Sequence, residues 1–72
     1  MAEQDKFLKA LGKNIDKKRK EEGISFQELS FRTDIEKSNL VKLCNHGTNI
    51  TVSSLQKIAK GLGVPVHELL KF

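Results

Sequence analysis

Residues 25–46 read SFQELSFRTDIEKSNLVKLCNH, and the fold depends on how this stretch divides. Ser25 and Glu28 form a capping-box pair: the serine oxygen takes the Glu28 amide while the glutamate reaches back. That pair starts a short helix over about 26–32, with Phe26 and Leu29 as its apolar residues. Thr33-Asp34-Ile35 is too short for anything but a tight turn, and aspartate tolerates the left-handed backbone such turns use. A further helix follows over about 37–45. Its apolar residues Leu40, Val41, Leu43 and Cys44 come late, with Leu40, Leu43 and Cys44 expected to be buried, whereas its start carries Glu36, Lys37, Ser38 and Asn39. In so small a chain, a helix start this polar is either plain solvated surface or kept polar for something it touches.

Working outward, helical periodicity recurs and no strand-like alternation competes with it. Phe7, Leu8, Leu11 and Ile15 form one stripe, giving a first helix over about 5–21 that Gly23 ends. Asn45-His46-Gly47 breaks the helix that begins near 37. After a loop carrying Ile50, Thr51 caps a fourth helix whose Leu55, Ile58, Ala59 and Leu62 share one face. Gly63 stops it. Pro65 opens a last short helix, where its missing amide costs nothing, and Val66, Leu69 and Leu70 lead to Phe72. The expected fold is all-α: a five-helix bundle in one domain over 1–72, with a helix-turn-helix at about 25–46.

A chain of 72 residues buries only about 60% of its unfolded surface, so its core is marginal and self-association would help it. One cysteine excludes an intramolecular disulfide framework and suits a reducing compartment. No apolar run reaches the length of a membrane span, and MAEQDKF is too charged for a signal peptide. These features lead to the expectation of a soluble cytoplasmic protein with no membrane partner. The net charge is +4, and its distribution matters more than its size. Residues 1–36 hold eight acids and eight bases, while residues 37–72 hold five bases (Lys37, Lys42, Lys57, Lys60, Lys71) against Glu68 alone. Lys17-Lys18-Arg19-Lys20 adds an earlier basic spot. Clustered bases suggest a polyanion partner.

With the elements in place, LGKNIDKKRKEEGIS, FQELS, TDIEKSNLVKL and SSLQKIAKGLGV resemble the lambda-repressor/Cro-like, XRE-type helix-turn-helix proteins over about residues 8–71. The resemblance implies a DNA-binding domain that docks its third helix in the major groove and binds operators as a dimer. Several positions depart from the family pattern. Phe26 stands where the family usually has a phosphate-touching glutamine, so that contact is lost unless neighbouring Gln27 supplies it. Asp34 replaces a turn glycine, Ser30 a small alanine and Lys18 a leucine. Where the family reads Glu-x-Gly after the third helix, this chain has Cys44-Asn45-His46-Gly47, so either His46 replaces the glycine or one residue is inserted. That glutamate commonly pairs with the arginine matching Arg19, leaving Arg19 for a phosphate or another carboxylate.

By resemblance, Lys37, Ser38 and Lys42 read bases, with Asn39 as a fourth candidate. Lysine suits the O6 and N7 acceptors of guanine, and serine suits either sense of pair. Ser25, Gln27, Asn45, Thr48, Asn49 and Arg19 are candidates for phosphate, which positions the protein without reading sequence. Glu36 either favours the positive end of its helix or accepts from a cytosine amino group. Val66, Leu69, Leu70 and Phe72 either all pack inward or, helped by Ile50, form a homodimer interface, which is the expectation. Catalysis, metal and cofactor are not expected. Cys44 and His46 fall short of the four ligands of a structural zinc site, and Cys44 reads as a core hydrophobe. The reading is a repressor- or controller-type regulator binding a pseudo-palindromic operator on double-stranded DNA. The alternative is an antitoxin-like or scaffold module that uses the same bundle to bind an unidentified protein partner.

Overall fold

Among the described residues, the computed structural model runs through five helices; it describes the backbone of residues 2–72 and the side chains of residues 5–72. They are α1 (Ala2–Glu21), α2 (Phe26–Thr33), α3 (Lys37–His46), α4 (Val52–Leu62) and α5 (Val66–Leu69). The first starts three residues earlier than the expected 5. Gly23 ends it with φ +68°, a left-handed conformation open to glycine at no steric cost.

At the start of α2 the Ser25 hydroxyl accepts the Glu28 amide at 3.0 Å. The return half of the capping box does not form. Glu28 instead accepts from Arg32 Nε at 3.0 Å one helical turn on, a better match for a carboxylate than a neutral amide. Asp34 ends α2 at φ +63°, and its amide donates to Ser30 O at 2.9 Å. The Ser30 hydroxyl then donates to Ile35 O at 2.6 Å, stitching the turn to the helix before it. The serine that replaces the family's alanine thus has a structural job.

Leu11, Ile15, Ile24, Leu29, Leu40, Leu43, Cys44, Leu55, Ile58, Ala59, Leu62 and Leu69 form one core. Phe7 departs from its expected stripe: it is 51% exposed and meets Phe72 edge to face, ring centroids 5.3 Å apart. Two glycines set how closely α1 and the end of α3 approach. A Cβ on Gly12 would collide with the Leu43 carbonyl oxygen, and one on Gly47 with the backbone of Leu8 and Lys9. Gly47 also holds the left-handed position that caps α3, its amide donating to Leu43 O at 3.0 Å. His46 thus lies inside the helix, and the capping glycine is Gly47.

The last helix is tied to the first by a buried polar side chain. Asn14 Nδ2 donates to Glu68 O at 3.0 Å and Leu69 O at 2.8 Å. Lys18, in place of a leucine, lies 3.6 Å from the Glu68 carboxylate.

Candidate nucleic-acid interface

The third helix has two unlike sides. Leu40, Leu43 and Cys44 are buried, while Lys37, Ser38, Asn39, Lys42, Asn45 and His46 are exposed. With about 100° of rotation per residue, Ser38, Lys42 and Asn45 project from the side opposite the buried three. Lys37 and Asn39 stand on its two flanks. The outward edge of α3 is thus a cation, a hydroxyl and an amide, with flanking lysine and asparagine: donors and acceptors suited to base edges.

The polar residues of the next loop gather beside this edge. Asn39, Lys42, Thr48, Asn49, Thr51 and Ser54 rim a cleft of about 390 Å³ with an apolar floor that includes Leu40 and Ile58. Ile50 contributes to the same floor and packs partly against the core. Ser25 and Gln27 are exposed at the start of α2. Glu36 is the N-cap residue of α3 and makes no side-chain cap bond. Its carboxylate stands exposed at the positive end of the helix.

Arg19 takes the second of its two expected partners. Its Nε and Nη2 donate to Asp16 Oδ1 at 3.1 and 2.9 Å, and its Nη1 donates to Ile24 O at 2.8 Å. The guanidinium also lies over the Phe26 ring, 4.0 Å from its centroid, a cation–π stack. Committed to these groups and only 13% exposed in its side chain, Arg19 is withdrawn from the phosphate contacts. The departures at Phe26 and Cys44 are coupled through it. The cysteine leaves Arg19 without the family's glutamate, Asp16 supplies the carboxylate, and Phe26 supplies a stacking face. Burial pushes the Asp16 carboxyl upward, but its bonds to Arg19 and Lys20 outweigh that and hold it below the usual carboxylate range. Burial, with the Asp16 charge behind it, pushes the Cys44 thiol up to about 11. A neutral, buried thiol fits the core role.

The expected dimer face divides. Leu69 is fully buried among core residues and cannot form part of any surface; Asn14 also bonds its carbonyl from α1. Val66 is half-buried against the core. Leu70 and Phe72 are 44% and 57% exposed.

Three side chains that matter were not singled out from the sequence as site or anchor residues: Asn14, Ser30 and Phe31. Asn14 falls between Leu11 and Ile15 on the apolar side of the first helix, and a polar residue there is the clue to a buried hydrogen bond. Phe31, 85% exposed on α2, shares its helix face with Gln27, and no spacing rule marks it. Among the described residues no helix is long and apolar enough to cross a membrane.

The family model for the Cro/C1-type HTH DNA-binding domain matches residues 14–72. No curated protein matches the sequence. Among solved structures, the chain is similar to the restriction-modification controller protein C.AhdI from Aeromonas hydrophila, with a TM-score of 0.82 and 22% identity. The match covers 86% of this chain and 94% of that one. At that identity the likeness speaks for the fold, and the family match speaks for DNA binding. The chain belongs to the Cro/C1-type helix-turn-helix family of DNA-binding domains.

Proposed function

We propose that this DNA-binding, transcription-regulating domain reads a pseudo-palindromic operator as a homodimer in the cytoplasm, as a repressor or controller. The observation that carries the reading is the two-sidedness of α3: three buried apolar residues behind, and Ser38, Lys42 and Asn45 in front. In this reading Lys42 and Ser38 meet base edges, with Lys37 and Asn39 at the margins of the footprint. Ser25, Gln27, Asn45, Thr48 and Asn49 hold phosphates on either side. The shared fold with a restriction-modification controller makes an operator of its own a natural target.

Selection of bound sequences from random duplex DNA, at two salt concentrations, tests this directly. A palindromic motif that survives the higher salt is the expected result. Binding that is salt-sensitive and without a motif would leave only phosphate attraction and remove the operator from the proposal.

A polypeptide partner is the second reading, and Phe31 is what favours it. This exposed ring lines a groove with Arg32, Lys57 and Lys60, none of which is assigned to base reading.

A further inference from the structure

The basic residues of α1 are not absorbed by the reading edge. Lys6, Lys9, Lys13, Lys17 and Lys20 are all exposed. Their spacing of three or four residues puts them within one arc of about 80° along the helix. The stripe runs for about 21 Å at the helical rise of about 1.5 Å per residue. It centres opposite Leu11 and Ile15, the buried side of α1. Among the described residues Lys9, Lys13 and Lys17 have no carboxylate within ion-pair distance, and Lys20 has Asp16 at 3.2 Å. Near its C-terminal half, Lys13 and Lys17 meet Lys71 and Phe72 around a shallow cleft of about 330 Å³.

This stripe and the reading edge face different ways. The two helices meet where Gly12 lies against the backbone of Leu43 and Cys44, on the side of α3 opposite Ser38 and Lys42. The stripe lies about a right angle further round α1 from Gly12. A duplex seated against Ser38 and Lys42 therefore does not cover the lysines.

We propose that this face of α1 is a second, sequence-blind surface for duplex DNA, holding phosphates through Lys9, Lys13 and Lys17 with Lys6, Lys20 and Lys71 at its margins. Like-charged side chains repeated every turn, with no carboxylate interleaved on the middle three, match a regularly charged rod. Duplex DNA carries one charge per about 1.7 Å of its axis. A folded protein partner fits less well, because interface cores are depleted in charge and need apolar anchors. An anionic membrane fits less well, because an interfacial helix buries its apolar face in lipid, and that face of α1 is spent on the core. Such a surface would hold a neighbouring segment of DNA while α3 reads its site, or keep the protein on DNA between sites.

The test compares two variants that lose the same charge: Lys13→Gln/Lys17→Gln on the stripe and Lys57→Gln/Lys60→Gln on α4. Binding to a 30-bp duplex of random sequence, about three turns long and without a selected site, is measured from low to moderate salt. The stripe variant is expected to flatten the slope of log K against log salt by about 1.8, two phosphate contacts' worth. The α4 variant is expected to leave it nearly unchanged. Equal flattening in both would reduce the stripe to net charge and overturn the proposal, as would an unchanged slope in the stripe variant. Retention on phosphatidylserine vesicles is measured in parallel. If only that falls in the stripe variant, the surface belongs to a membrane and the proposal is wrong. Selection of a palindromic motif depends on the α3 edge and on pairing and not on the α1 stripe, so failure there and failure here are separately visible.

Discussion

At the residue scale, the chain has replaced a family ion pair with another arrangement around the same arginine. Arg19, Asp16, Phe26 and Cys44 form one unit: charge from the aspartate, stacking from the ring, and a neutral thiol where the glutamate stood. The depressed Asp16 carboxyl makes this unit sensitive to acid. A carboxylate with a lowered folded pKa contributes stability that is complete above its unfolded value of about 3.9. That contribution is lost as pH falls through the lower folded value. Asp16→Asn is therefore expected to melt below the wild type at neutral pH, with the gap closing below about pH 4. A gap that stays constant in thermal melts across that range would mean the carboxylate's charge does not matter. On the reading edge the two lysines are not equivalent. Lys42 lies near the centre of the outward face, so Lys42→Ala is expected to cost about 1–3 kcal/mol on a selected site and relax its sequence preference. Lys37 stands on the flank, and Lys37→Ala is expected to weaken cognate and random duplex alike and lower the salt slope by about 1. Titrations of each variant on both duplexes separate the two roles.

At the element scale, local chemistry made the helices legible. The caps at Ser25 and Thr51, the glycine stops and the 3.6-residue stripe of Leu55, Ile58, Ala59 and Leu62 are all short-range signals, and each matches the structure. The outward residues of α3 were legible as exposed polar chemistry for the same reason: one helix's own periodicity defines its two faces. What could not be read from one segment was how the ends meet. Leu69 resembles its neighbours in sequence, yet it is buried in the core, and Asn14, 55 residues away, holds its carbonyl. Arg19 has one partner that spacing does announce, Asp16 three residues earlier on the same helix, and one that only packing sets, the Phe26 ring. The Asn14 bonds are also what keep α5, only four residues long, in place. Removing one partner leaves buried carbonyls unsatisfied, at a cost of about 1–3 kcal/mol. Asn14→Ala is expected to lower the unfolding free energy from urea titration by that much and to release Leu69. Hydrogen exchange is expected to quicken first at the α5 amides. Uniform quickening across the bundle would show that α5 has no stability of its own to lose.

At the scale of the whole molecule, size and surface together bear on assembly. The bundle measures 32 × 23 × 21 Å, and recognition helices reading two half-sites one turn apart stand about 34 Å from each other. That separation is about one molecular length, so two copies of this size can contact each other while reading adjacent grooves. The exposed apolar residues available near the C-terminus are Leu70 and Phe72, with Phe7 against the latter's ring. Three partly exposed side chains fall well short of the roughly 800 Å² per partner of a standard interface. The dimer expected from them is weak, and occupancy of an operator would rise steeply with protein concentration as pairing and binding reinforce each other. Leu70→Glu/Phe72→Ser places a charge and a small polar group on this face without touching Leu69 or Asn14. Sedimentation of the wild type is expected to show a concentration-dependent shift from monomer to dimer, lost in the variant, with the far-ultraviolet spectrum unchanged. On a palindromic site the variant's binding curve is expected to lose its sigmoid form. On a single half-site the two proteins are expected to bind equally. A variant that still dimerises would move the interface away from the C-terminus, and the cleft-lining loop around Ile50 would be the next face to mutate.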